Sequence, residues 1–83
     1  MPDRPLRYTR HARNRTRWHA ISGEQIEMCV GNPDQVTPSV FARRNYWLRL
    51  GTSFLRVTIA EEGDALAVVT VAVRRRGPGE ETR

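Results

Sequence analysis

Apolar and polar positions divide the chain near Pro33 into a helical part and a strand part. In the first part Tyr8, Ala12, Arg15, Trp18 and His19 recur at steps of three and four, the spacing of one helix face. Thr9, just after Tyr8, is an N-cap, which predicts a helix over 9–19. The stripe is poor in aliphatic residues, so this helix has to lean on Tyr8, Ala12 and Trp18, or else use its polar side functionally. A second start follows at Ser22, with Gln25 three residues on, the reciprocal capping pattern. Glu24 in the first turn complements the helix dipole. Ile26, Cys29 and Val30 form the buried stripe of a helix over 22–31. Gly31-Asn32-Pro33 ends it, because Gly or Asn takes a left-handed cap and Pro blocks continuation.

From there the period changes to two. Val36 opens a weak strand that Pro38 marks as an edge or an interruption. Tyr46, Leu48 and Leu50 face one way, and Asn45, Trp47 and Arg49 the other. After a turn at Gly51-Thr52, Leu55, Val57 and Ile59 alternate with Phe54, Arg56 and Thr58. After a second turn at 61–64, Ala65 to Val73 is apolar on both faces and β-branched, the pattern of a well-covered strand. Strands are predicted over 43–50, 53–61 and 65–74. The expected fold is α+β: two N-terminal helices packed on one face of a three- to four-stranded antiparallel sheet, with the other face partly open. Tyr46, Leu48, Leu55, Val57, Ile59, Ile26 and Cys29 should be buried together. Residues 1–7, with two prolines, read as a flexible arm, 8–74 as a single domain and 75–83 as a flexible tail.

Eighty-three residues make one small domain with a thin core,. A single cysteine excludes an intrachain disulfide and a Cys-rich zinc site, and it favours a reducing compartment. No secretory signal is visible, and no apolar run approaches the length of a membrane helix. These features read as a soluble cytoplasmic domain. Charge changes the picture more. The net charge is +5, and all 14 basic residues are Arg. A GC-rich codon bias accounts for Arg over Lys better than for the positive excess. Residues 1–19 carry a local +5 and residues 42–60 a local +4, separated by acidic stretches. Such a balance points to an anionic partner, most often nucleic acid.

Two groups of residues carry candidate chemistry. The face away from the helices presents Trp47 and Phe54 interleaved with Arg49 and Arg56. Bases stack on such rings and guanidiniums pair with phosphates, so Trp47, Arg49 and Arg56, with Arg43 and Arg44 nearby, are candidate RNA contacts. The structural alternative is that these residues are simply good strand formers. On the first helix His11 and Arg15 lie four apart on one face. Histidine can move a proton near neutral pH and arginine can stabilise phosphate charge. The alternative there is a histidine that only makes a structural hydrogen bond. His11 and His19 do not form a metal-ligand pattern, and no phosphate-cradling loop or catalytic triad is present. No cofactor is expected.

The run Tyr8-Thr9-x-His11-Ala12-x-x-Arg15, then Ile21-Ser22-x-x-Gln25-Ile26 and Asn32-Pro33, resembles the start of the domain-of-unknown-function family 4258. Leu55-Arg56-Val57-Thr58 and Val69-Thr70-Val71 extend the resemblance over roughly residues 7–74. Thr16 replaces the family's usual Met, His19 its usual Arg, and no aromatic follows Thr70-Val71. The family is similar to small bacterial toxins of the RelE and BrnT kind, in the barnase/colicin/RelE-like nuclease group. The resemblance implies a two-helix and antiparallel-sheet fold, and metal-independent endoribonuclease activity with the RNA 2′-hydroxyl as nucleophile. It also implies a small antitoxin protein as partner. The other readings are a non-catalytic RNA- or protein-binding module on the same fold, and a small domain without a ligand.

Overall fold

Both helices begin where a side-chain hydroxyl satisfies a backbone N–H that the first turn leaves over. In the computed structural model, which describes residues 4–78, α1 spans Arg10–His19 and α2 spans Gly23–Gly31. Thr9 Oγ1 accepts from the Ala12 N–H at 3.0 Å. Ser22 Oγ accepts from the Gln25 N–H, and Gln25 Oε1 accepts in return from the Ser22 N–H at 2.9 Å. α2 closes where the Asn32 N–H donates to Met28 O at 2.8 Å, just before Pro33.

The sheet has five strands: β1 (Leu6–Tyr8), β2 (Gln35–Pro38), β3 (Arg44–Leu50), β4 (Ser53–Glu62) and β5 (Ala65–Arg74). Their spatial order is β1-β5-β4-β3-β2. Strands β2 to β5 form an antiparallel meander, whereas β1 runs parallel to β5, with Leu6 opposite Leu66 and Tyr8 opposite Val68. The α+β class fits, but the expectation of a three- to four-stranded antiparallel sheet is overturned by a mixed sheet of five. The additional strand is three residues long, too short to show an alternation, and it lies beside a proline.

Its position also corrects the flexible arm. The Leu66 N–H donates to Pro5 O at 2.9 Å, and Arg4 pairs with Glu61 at 3.0 Å. Residues 4–7 are therefore fastened to the sheet, while residues 1–3 lie outside the described residues. At the other end Gly77 is buried against Phe54, where a Cβ would come within 3.1 Å of the ring. Within the expected tail Gly77 is thus packed while Arg75 and Arg76 are exposed, and residues 79–83 lie outside the described residues.

A bulge interrupts β5. Thr58 pairs with Thr70, but Ile59 pairs with Val68, so Val69 is an extra residue,. The bulge lets Leu66 and Val68, and then Val71 and Val73, share the helix side although Val68 and Val71 are three apart. The core on that side comprises Ala12, Ile26, Cys29, Val30, Leu55, Val57, Ile59, Leu66, Val68 and Val71, with Tyr46 and Leu48 partly buried against it. α1 lies over β5, and α2 over β3 and β4. The helix side and the buried stripe of α2 agree with the sequence pattern. α1 differs: Ala12 is its one buried residue, and Trp18 is 80% exposed rather than packed.

Candidate functional site

The N-cap of α1 also fastens the helix to the bulge. The Thr9 N–H donates to Val68 O at 3.1 Å, and Thr9 Oγ1 donates to Val69 O at 3.0 Å. Two residues later His11 reaches the edge of β5, with Nε2 3.1 Å from Thr70 Oγ1. Thr70 stands opposite Thr58, whose hydroxyl donates to Asn45 Oδ1 at 2.7 Å. Asn45 stands opposite Thr37, which accepts from Trp47 Nε1 at 2.9 Å. A polar row, Thr37, Asn45, Thr58 and Thr70, therefore crosses the face away from the helices and ends at His11. The row places His11 at the edge of the sheet face that carries Trp47, Arg49 and Arg56, with Trp47 at the far end of the row.

Arg15 lies one turn beyond His11, and both are exposed. α1 also exposes Arg10, Arg13 and Arg17 and carries no acidic residue. On the sheet, Arg49 pairs with Phe54 and Arg56 with Trp47 across β3 and β4. Their guanidinium carbons lie 5.9 Å and 5.8 Å from the ring centroids of Phe54 and Trp47, within cation–π range. Arg49 also donates from Nε to Gly51 O at 3.1 Å.

Arg43 and Arg44 are not brought to this group. Arg44 pairs with Ile59 and so takes the helix side of the sheet. Arg43 follows the turn at Val40–Ala42, with its guanidinium carbon 5.5 Å from the Phe41 ring. Trp47 occupies the expected face but is only 2% exposed. Alternation reveals which face a residue takes, not what covers it. β2 pairs outside β3 and makes Trp47 an interior residue of the sheet, so the ring is not the open stacking platform expected from the sequence. Arg7 and Arg74 join the same face, opposite Ala67 and Phe54. Arg7 was hidden by the reading of 1–7 as an arm. Thr70 had one signal, a lone polar residue in an apolar run.

Cys29 is fully buried, and its Sγ donates to Tyr46 O at 3.2 Å. Burial pushes the thiol up to about 12, and the Asp34 carboxylate adds to the rise against a lowering backbone hydrogen bond at Val57. A neutral, enclosed thiol is no nucleophile near pH 7. Burial, followed by the Glu27 carboxylate, also raises the Tyr8 phenol. A group whose folded pKa is raised binds its proton more tightly in the native state. The stability it contributes is present below its unfolded pKa and is lost as pH climbs towards the folded one. Unfolding titrations should therefore show stability declining from about pH 9 upward. Cys29→Ala should flatten the first part of that decline, leaving the part from Tyr8 above pH 10. A slope identical in both proteins would contradict the assignment.

Among the described residues no group of three or more His, Cys, Asp or Glu is placed to hold a metal ion, and no helix is long and apolar enough to cross a membrane. Comparison with family models, curated proteins and solved structures gives no match to this chain.

Proposed function

We propose that this chain is an RNA-cleaving domain of the RelE and BrnT toxin type that acts without a metal ion. The observation that carries the reading is His11: an exposed imidazole, set by Thr70 at a sheet edge, on a helix that exposes four arginines and no carboxylate. An RNA strand lying along this edge meets positive charge from α1 and from the face carrying Arg7, Arg49, Arg56 and Arg74. His11 takes the proton of a 2′-hydroxyl. The freed oxygen attacks the adjacent phosphorus, and the bond from phosphorus to the 5′-oxygen breaks. The leaving oxygen then takes a proton from water, His11 returns its own proton to the solvent, and the strand ends in a 2′,3′-cyclic phosphate and a 5′-hydroxyl. Arg15 pairs with the phosphoryl oxygens as their charge grows.

The His11–Thr70 hydrogen bond also favours a second reading, a binding module in which the imidazole only fastens α1. An oligoribonucleotide incubated with the protein in chelator separates the two. The nuclease produces cyclic phosphate ends and spares a strand carrying 2′-deoxyribose at the cut position. Binding weakens steeply with salt as condensed counterions are released. Cleavage that needs added Mg²⁺, or equal cutting of the deoxy-substituted strand, overturns the mechanism. Absence of any binding at about 50 mM salt, where surface charge is least screened, removes RNA as the ligand altogether.

A further inference from the structure

We infer that Trp18 is the base-stacking residue of this surface and holds an unstacked base of single-stranded RNA beside the phosphate at His11 and Arg15. The inference rests on the RNA-binding reading above and adds the base contact that the burial of Trp47 leaves unassigned. Trp18 is 80% exposed in the last full turn of α1, with its large ring in water. It does not stand alone. His11, Arg15 and Trp18 follow the steps of four and three that align side chains on one helix stripe. All three are exposed. At about 1.5 Å of rise per residue the stripe runs about 10 Å from the imidazole to the indole, a span that a short extended stretch of nucleotides covers.

The stripe also explains why α1 spends so little surface on the core. Ala12 alone is buried, while the arginines at 10, 13, 15 and 17 stay in solvent. A base of any identity can stack on an indole, because every base has a π-face. The site therefore selects single-stranded over paired RNA rather than one sequence over another. A duplex keeps its bases inside the stack and offers only its backbone.

The protein's two tryptophans make the test direct, since Trp18 is exposed and Trp47 is buried. Binding is followed by anisotropy of a labelled oligouridine, of the same chain of phosphates with abasic sugars, and of an RNA duplex, while tryptophan emission is recorded. The oligouridine should quench the wild-type emission, and the abasic strand and the duplex should not. Trp18→Ala should weaken oligouridine binding about tenfold or more, bind the abasic strand as the wild type does, and leave the remaining Trp47 emission unquenched. Trp18→Phe should recover most of the affinity. Equal affinity of wild type and Trp18→Ala for the oligouridine overturns the inference while leaving the RNA reading intact. Failure of all three nucleic acids to bind overturns both. Emission that shifts with protein concentration alone assigns Trp18 to contact between two copies of the chain, and also overturns the inference.

Discussion

A His11→Ala variant is expected to lose RNA cleavage by about 10²–10⁴-fold, the usual worth of a positioned proton-transfer group, while keeping its fold. The side chain is exposed, and the substitution removes its hydrogen bond to Thr70. A hydrogen bond of this kind contributes about 0.5–1.5 kcal/mol, which is about 2–12 °C of melting temperature in a domain of this size. His11→Gln sharpens the comparison. Its amide can still meet Thr70 Oγ1 but cannot accept a proton from a 2′-hydroxyl. Both variants should be inactive, and Gln should melt closer to the wild type. An active Gln variant would mean that His11 only positions α1.

The second large effect falls on stability. Trp47→Ala should cost about 3–5 kcal/mol of folding free energy, as large-to-small changes at buried aromatics do. Small domains have about 5–15 kcal/mol in total, so the variant should unfold at markedly lower denaturant or temperature. Two contributions disappear together: the packing of a ring that is 2% exposed and its indole hydrogen bond to Thr37. The same bond anchors β2, which has an open edge. Trp47→Phe, which keeps most of the ring but not the N–H, should lose less. A Trp47→Ala protein with an unchanged melting point and weakened RNA binding would restore the ring to the interface.

What could be read from the sequence was local. Thr9, and Ser22 with Gln25, gave both helix starts to within a residue, because capping is settled by groups three positions apart. β3 and β4 followed from alternation, β5 from its continuous β-branched apolar run, and their limits from the turns at Gly51 and Gly63, which adopt φ of 61° and 58°. β1 was illegible because it pairs with residues 66–68, and a parallel partner sixty positions away leaves no periodicity in Leu6-Arg7-Tyr8. The bulge hid the facing of Thr70 for a similar reason: one inserted residue reverses the count along β5. Among the candidate residues, the sequence placed Trp47, Arg49 and Arg56 on one face. Arg44 was separated from them by the pleat, which sets alternate residues on opposite sides of β3. Trp18 was read as a packing residue because its spacing fits Ala12 as well as it fits His11, and only the packing of α1 on β5 decides between those two directions.

The fastening of α1 at the bulge bears on how the chain folds. His11 and Thr70 are 59 positions apart, and Thr9 meets Val68 and Val69 across a similar loop. No contiguous stretch can therefore assemble the edge on which the imidazole rests. The intervening chain must first be drawn in, at an entropic cost that grows slowly with its length, and such long-range closures place a protein among the slower small-domain folders. The meander from β2 to β5 joins neighbours through short turns and can form without this closure. On this topology the N-terminal third is expected to dock last, so Thr9→Ala should mainly speed unfolding and leave the folding rate nearly unchanged.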